Sequence, residues 1–191
     1  MRKYLLVSLI LPATLVFAGN FLTNGNFEND LSVGWTSYMA DATYGYDTII
    51  RGTGFEPDAD YEVYTLSTFS YLTKLYQTVD IPSTDNFTFA VKSKIVSFDN
   101  DYDTLCWAAS AVVVSYLNAA GTVLGETRIC RFSTPCPWAS TSTLHLIQAA
   151  DTLWHNYSFV LNTELANLPG VTPSQVKKVQ VAMFDTTYHS C

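Results

Sequence analysis

Alternating apolar and polar positions recur along the chain and predict β-strands. In residues 86–95 (NFTFAVKSKI) most odd positions are apolar, whereas the even positions include Asn86, Thr88, Lys92 and Lys94. Successive side chains of a strand point to opposite faces, so a period of two indicates one buried and one exposed face. The segment is therefore predicted to be a half-buried strand.

Other segments extend this pattern to most of the chain. Residues 104–117 (TLCWAASAVVVSYL) are apolar on both faces, which favours a central strand, and the turn at 118–121 connects them to 122–132 as a hairpin. Further strands are predicted at 35–39, 44–51, 61–67, 75–81, 143–148, 154–161 and 175–185, with one short helix at 163–168. Strands at about ten-residue spacing, separated by Gly, Pro, Asn and Asp turns, predict an all-β fold, a single jelly-roll β-sandwich.

The first residues have the organisation of a secretion signal. Arg2 and Lys3 precede a mostly apolar stretch, 4–17, and the compact residues Val16 and Ala18 lie where a signal peptidase cleaves. The apolar stretch is short for a membrane span. We therefore predict a signal peptide at 1–18 and a secreted domain at 19–191, extracellular or at a cell surface, with no membrane span after cleavage. A retained N-terminal anchor is the alternative.

Composition and charge narrow the range of partners. Aromatic and charged residues each make up 14% of the chain, and its formal net charge is −7. Aromatic and β-branched enrichment favours strands. Loss of Arg2 and Lys3 with the signal makes the charge still more negative, which excludes a nucleic-acid partner bound through phosphate neutralisation.

Four cysteines in an exported chain predict disulfide bonds. They are Cys106, Cys130, Cys136 and Cys191, and four cysteines allow three pairings. If Leu117 and Val123 flank the hairpin turn, Cys106 falls opposite residue 134 and close to Cys136 on the same face. We therefore predict Cys106–Cys136 and Cys130–Cys191, with free, buried cysteines as the alternative.

Several short motifs, in order, resemble one family. They are 24–28 (NGNFE) followed by Gly34-Trp35, then 76–79 (YQTV), 116–124 (YLNAAGTVL), 154–159 (WHNYSF) and 179–185 (VQVAMFD). Together they resemble galactose-binding-like jelly rolls, notably the carbohydrate-binding modules attached to bacterial glycoside hydrolases. The resemblance covers nearly all of 19–191 and implies a jelly roll that binds a glycan without catalysis, although this scaffold also serves unrelated functions.

The resemblance also implies a structural calcium ion near the joined termini. In such modules an opening acidic residue, a late Asp and backbone carbonyls hold the ion, and Glu28 and Asp185 fall on those positions. Calcium prefers hard oxygen ligands, and two carboxylates balance its charge. The family often has a second acidic residue after the late Asp, where this chain has Thr186. The alternative is that Glu28 caps a turn and Asp185 ends a strand.

Aromatic side chains are the candidate ligand-binding residues, because sugar rings stack on aromatic faces while nearby polar groups fix their orientation. We predict Trp107, Trp138, Tyr44 and Tyr64 as ligand-binding residues, and the segment 133–142 as a variable loop. Most other tyrosines are expected to be packing residues. The acidic stretch 99–103 is expected to be a solvated turn.

Catalysis finds little support in the sequence. His145, His155 and His189 lack metal-ligand spacing and an evident nucleophile partner, and no G-x-S-x-G motif is present. We expect a non-enzymatic protein. The leading hypothesis is a secreted module that recognises an extracellular or cell-surface glycan. The alternative is a self-assembling structural subunit of a surface layer, extracellular filament or adhesive appendage.

Overall fold

The protein is an all-β, sandwich-like structure in a computed structural model that describes residues 20–40, 47–68, 72–97 and 106–188. Its strands are β1 (Thr36–Met39), β2 (Thr48–Gly52), β3 (Glu62–Leu66), β4 (Thr73–Asp80), β5 (Thr88–Ser93), β6 (Trp107–Leu117), β7 (Val123–Phe132), β8 (Leu144–Gln148), β9 (His155–Val160) and β10 (Lys178–Tyr188). Each predicted strand is found, with its ends shifted by a few residues, so the prediction of an all-β fold is confirmed.

In the part of the chain that the structure describes, helical structure occurs only in short segments after β9. The helix α1 (Leu161–Glu164) continues into a 3-10 turn at Leu165–Asn167, and a second 3-10 turn lies at Pro173–Gln175. Within the described parts of the chain, no helix is long and apolar enough to cross a membrane.

A six-stranded sheet has the strand order β1-β4-β10-β6-β7-β8. Its neighbouring strands are antiparallel except β7 and β8, which run parallel. Two smaller sheets, β2–β3 and β5–β9, are each antiparallel pairs. The parallel β7–β8 pair arises because the segment 133–143 returns along the sheet instead of making a tight hairpin.

The inner face of the six-stranded sheet packs against β5 and β9. In β10 the odd residues Val179 and Val181 lie in the main core, whereas Ala182 belongs to a separate cluster on the opposite face. Phe89 of β5 and Phe159 of β9, whose rings are 5.2 Å apart, pack in that main core. We call the core side of the six-stranded sheet the inner face and its opposite side the outer face.

Leu161 begins the helix two residues earlier than predicted because its side chain belongs to the core. Leu161, Leu165 and Leu168 all lie in the main cluster, at a spacing that places them on one side of a helical turn. The backbone N–H of Leu161 also donates to the carbonyl of Phe87 at 2.8 Å, which fixes the helix start against the end of the β5–β9 sheet.

The predicted Cys106–Cys136 disulfide is wrong. A bulge between Tyr116 and Leu117 shifts the β6–β7 register by one residue, so that Ala109 pairs with Phe132 and residue 135, not 134, falls opposite Cys106. Strand alternation then places Cys106 on the inner face, whereas Cys136 lies close to Cys130 on the outer face. No disulfide joins any two of the three described cysteines. Cys191 lies outside the described residues, so the Cys130–Cys191 bond stays a prediction.

We expect Leu161→Ala to lower the free energy of unfolding by about 2–5 kcal/mol, because it removes a core side chain and leaves a cavity. Leu161 is 1% exposed. The matched control is Leu153→Ala at a position that is 64% exposed, where the change should stay within about 0.5 kcal/mol. Urea unfolding followed by tryptophan fluorescence measures both. Equal effects at the two positions would contradict the packing described above.

Candidate functional site

The outer face of the six-stranded sheet collects side chains from strands that are far apart in sequence. Strand register sets them in rows that run across β4, β10, β6 and β7. One row is Lys74, Phe184, Ala111 and Cys130, and the next is Tyr76, Ala182, Val113 and Arg128. The centre of the face is formed by three small, buried residues, Ala111, Val113 and Ala182. The larger aromatic and charged side chains pack around them and extend further from the sheet.

Aromatic residues are concentrated on this outer face. By register and alternation the strands contribute Tyr38, Tyr76, Trp107, Phe132, Phe184 and Tyr188, and the segment 133–143 contributes Trp138. Tyr38 and Tyr188 are exposed, and Tyr76, Trp107 and Phe184 are half-buried. The main core on the inner face is mainly aliphatic by comparison. Partly exposed rings on a sheet face are available for contact with a ligand.

Hydrogen-bonded polar groups border these rings. Lys74 Nζ donates to Gln180 Oε1 at 2.6 Å, and Gln180 Nε2 donates to Thr78 Oγ1 at 2.9 Å. Burial lowers the pKa of Lys74 and Arg128 lowers it further, whereas the charge of Glu126 raises it. The charge of Lys74 therefore interacts with the charges of Arg128 and Glu126 across the outer face.

Arg128 links the polar and aromatic parts of the face. Its guanidinium donates to Glu126 Oε2 from Nη2 at 2.6 Å and from Nε at 3.0 Å. The same group lies 4.4 Å from the centre of the Trp138 ring, a cation–π contact. Trp138 also contacts Phe132 and Phe184, with ring centres 6.0 Å apart in both pairs. These contacts hold the segment 133–143 on the outer face.

The structure brings two of the four predicted ligand residues onto the same face. Trp107 pairs with Tyr188 across β6 and β10, and their rings stack at 5.9 Å and 13°. Trp107 and Trp138 therefore both lie on the outer face. Tyr64 lies elsewhere, on the exposed side of the β2–β3 hairpin, where it is 41% exposed and stacks on Phe55. Tyr44 lies outside the described residues.

Sequence reasoning missed Lys74, Tyr76, Arg128 and Gln180. In β4, β7 and β10 these residues lie at alternate positions and therefore share one face of each strand. Whether that face points toward the core or away from it depends on the pairing of strands that are distant in sequence. The only local signal is the alternation itself, which separates the two faces of a strand without telling which of them is covered.

The loop before β1, residues 20–35, is held by hydrogen bonds between side chains and its backbone, among them one from the Ser32 N–H to Asp30 Oδ1 at 2.9 Å. Asn24 O accepts a hydrogen bond from Trp35 Nε1 at 3.0 Å. The guanidinium of Arg51 donates to the carbonyl oxygens of Phe27 and, at 2.6 Å, Glu28, and it lies 3.5 Å from the centre of the Tyr61 ring. Arg51 thus brings a positive charge to the carbonyls of this loop, while Glu28 itself is exposed.

Asp185 is buried on the inner face of the six-stranded sheet. Its Oδ2 accepts a hydrogen bond from the Thr65 hydroxyl. Burial raises the pKa of Asp185 to about 6, against the lowering effect of Ser110 and Thr65, and the charge of Asp47 raises it further. Among the described residues, Asp47 is the carboxylate whose charge raises this pKa. Calcium held by Glu28 and Asp185 stays a prediction.

A group of acidic residues lies at the far end of the β2–β3 hairpin. Oxygen atoms of Glu56, Asp58 and Glu62 lie within 4.8 Å of one another. Lys92 Nζ approaches Glu56 at 2.5 Å and Asp58 at 3.6 Å, and its pKa is raised chiefly by the hydrogen bond to Glu56. This ammonium group already compensates part of the negative charge.

Two of the three histidines contact carboxylates. His145 Nδ1 contacts the buried Glu164, which also accepts hydrogen bonds from Thr127 at 2.8 Å and Asn167 at 3.1 Å. His155 Nε2 lies 2.7 Å from Asp151. The first network connects α1 to β7 and β8. His189 lies outside the described residues, and the expectation of a non-enzymatic protein stays a prediction.

No protein-family model matches the chain, and no curated protein matches it.

We expect the stability of metal-free protein to fall as pH rises from about 4 to 6. The folded state raises the pKa of Asp185 from 3.8 to about 6, so it retains a proton that the unfolded chain releases in this window. The difference between 3.8 and about 6 corresponds to a loss of roughly 3 kcal/mol in the free energy of unfolding above this window. Asp185→Asn should flatten the profile and raise stability at neutral pH.

Urea unfolding at a series of pH values in the presence of a chelator measures this effect. Asp85→Asn, a change at an exposed aspartate, is the control and should retain the wild-type slope. A wild-type slope in Asp185→Asn would contradict the burial of that carboxyl.

Proposed function

We propose that the protein is a glycan-binding module of the jelly-roll type that binds its ligand on the outer face of the six-stranded sheet. The observation that carries the proposal is the combination of partly exposed aromatic rings with a hydrogen-bonded polar border on one sheet face. The rings are those of Tyr76, Trp107 and Trp138, and the polar border includes Lys74 and Gln180.

The chemistry of the face suits a sugar. The apolar C–H side of a pyranose ring stacks on aromatic rings, and its hydroxyl groups exchange hydrogen bonds with amide, carboxylate and cationic side chains. Gln180 and Glu126 offer acceptors, whereas Lys74 and Arg128 offer donors. Because both signs of charge are present at close range, the face favours a neutral glycan over a polyanionic one.

We expect Tyr76→Ala and Trp107→Ala each to weaken glycan binding by about tenfold or more, because a lost stacking platform of about 1.4 kcal/mol corresponds to tenfold in Kd. The mature wild-type domain is first screened on a glycan array, and the best ligand is then titrated calorimetrically. Tyr76→Phe, which retains the ring, should bind within a few-fold of wild type.

Tyr64→Ala is the matched comparison, since it removes an exposed tyrosine from the β2–β3 hairpin instead of the sheet face. Retained binding in this variant supports the outer face. Loss of binding in Tyr64→Ala with wild-type affinity in Tyr76→Ala and Trp107→Ala would move the site to the hairpin. Failure of the wild-type domain to bind any neutral glycan would overturn the proposal.

A second candidate function is self-assembly as a structural subunit, and strand β1 is the feature that favours it. β1 is an edge of the six-stranded sheet, and all four of its residues are exposed. Its sequence, TSYM, contains neither charge nor proline, the two devices that commonly prevent pairing at sheet edges. A second copy could extend the sheet there by main-chain hydrogen bonds.

If the protein assembles through β1, the purified domain should elute as large particles and form filaments visible by electron microscopy. Met39→Lys places a charge on the edge strand and should then restore a monomer. A wild-type monomer at high concentration would exclude this second function, whereas particles that persist in Met39→Lys would place the contact elsewhere.

A further inference from the structure

The main-chain groups of strand β1 divide between the two sides of the strand. Just after β1, the N–H of Ala40 donates to the carbonyl of Leu72 at 2.8 Å, which continues the antiparallel β1–β4 pairing. In such a pair, successive residues direct their N–H and C=O groups alternately to one side and to the other. Tyr38 therefore faces β4 like Ala40, whereas Ser37 and Met39 direct their main-chain groups to the free edge.

The free edge of β1 is open. β1 is the first strand of the six-stranded sheet and pairs with β4 alone. On the edge side, no described residue forms a hydrogen bond with the N–H or C=O of Ser37 or Met39. Both residues are exposed, and β1 contains neither a charged residue nor a proline. Unpaired N–H and C=O groups on an exposed edge are a template for another strand.

The opposite edge of the same sheet, at β8, is covered by the segment that precedes it. The N–H of Leu144 donates to Thr141 Oγ1 at 3.0 Å, and the N–H of Leu146 donates to Ser140 Oγ at 3.1 Å. The carbonyl of Leu144 accepts a hydrogen bond from the N–H of Thr141 at 2.8 Å. These are the groups that an added strand would need, so β1 of one copy cannot pair with the start of β8 of another copy without displacing this segment.

We propose that β1 pairs with β1 of a second copy of this chain, antiparallel and about a two-fold axis, to form a closed dimer. Tyr38 lies between the two residues that face the edge, so the register that uses all their groups sets Tyr38 opposite the second copy's Tyr38. Ser37 then pairs with the second copy's Met39, and Met39 with the second copy's Ser37, and each pair exchanges both of its N–H···O bonds. This pairing occupies the open edge in both copies, so the assembly stops at two, and a filament would need a further contact.

The two-fold axis places the outer faces of both copies on the same side of the joined sheet. Tyr38 is 51% exposed and lies on the outer face, opposite Lys74 of β4. Residues that are directly opposite in paired strands point to the same face, so Tyr38 contacts the second copy's Tyr38 on that side. The two faces thereby become one continuous surface. A doubled glycan-binding surface rests on the proposed function, whereas the dimer itself does not.

Sedimentation velocity over a range of concentrations tests the dimer without any glycan. The full chain, as its expression host processes it, should change from monomer to dimer as the concentration rises, because an interface of one short strand is small and reversible. Ser37→Pro removes an N–H that the chain's own sheet does not use, and it should raise the dimer dissociation constant at least tenfold. Ser37→Ala keeps this N–H and is the matched control, with a constant within a few-fold of wild type.

Three results of this measurement would overturn the proposal. They are a wild-type monomer at the highest soluble concentration, wild-type particles larger than a dimer, and an unchanged dissociation constant in Ser37→Pro.

Opposite charges at position 38 test the register, and they also decide the case if Ser37→Pro fails to fold. Tyr38→Lys and Tyr38→Glu each set like charges opposite one another across the axis, so each variant alone should be monomeric. When the two are mixed, they should form a one-to-one heterodimer that native mass spectrometry identifies by its mass. Equal dimer stability in Tyr38→Lys alone and in the mixture would contradict the proposed register.

Thr36→Lys is the matched comparison, because it adds the same charge to the same face of the same strand. The proposed register sets Thr36 opposite the second copy's Ala40, so the two added charges lie apart. Thr36→Lys should therefore still dimerise alone, and a monomer would place the axis elsewhere on β1.

Binding to a polymeric glycan tests the joined surface separately from the dimer. Ser37→Pro changes none of the proposed glycan-binding residues, so it should bind a short oligosaccharide as the wild type does. It should bind the corresponding immobilised polysaccharide about tenfold more weakly, because two linked sites raise the apparent affinity for a polymer. Equal polysaccharide binding by the dimeric wild type and the monomeric variant would contradict the joined surface. If the wild type binds no glycan, the proposed function fails, and sedimentation still decides the dimer.

Discussion

The pairing of β10 with both β4 and β6 is the constraint on which the rest of the structure depends. β10 is 11 residues long and has a strand hydrogen-bonded on each side. Side chains alternate along it, so Val181 enters the core while Phe184 joins the outer face. A slip of one residue would exchange the two sets, placing Phe184 in the core and Asp185 on the outer face. The strong preference of valines for the core opposes that slip.

The sequence was sufficient to predict where the strands lie, but not which strands pair or in which register. Alternation is local, and each predicted strand was found because apolar residues recur at a period of two. Register is not local. The single-residue bulge at Tyr116 and Leu117 changed the position of Cys106 relative to Cys136, and no feature of the hairpin sequence required it. The parallel β7–β8 pair likewise depends on a returning loop whose course the composition does not determine.

The residues of the candidate sites could likewise be predicted only where a local sequence feature marks them. Aromatic richness pointed to Trp107 and Trp138, and both lie on the outer face. Their polar neighbours could not be chosen, because Lys74 and Gln180 are 106 positions apart in the chain and meet only through sheet register. On the inner face, the late aspartate was identified by resemblance, but its nearby carboxylate was not. The contact between Thr65 and Asp185 spans 120 positions, and no local pattern encodes it.

The adjacency of Phe184 and Asp185 connects the two faces energetically. Any ligand that binds only the folded state stabilises it in proportion to the logarithm of its concentration relative to its Kd. A cation on Asp185 would therefore favour the register that presents Phe184 and Ala182 on the outer face, and a glycan there would favour the register that buries Asp185. A ligand bound on one face of the sheet need not change the conformation of the other face, because β10 is paired on both sides and already fixes the residues of both faces. Such coupling would appear mainly where β10 opens, because each ligand would act on the same quantity, the free energy that keeps this strand between β4 and β6.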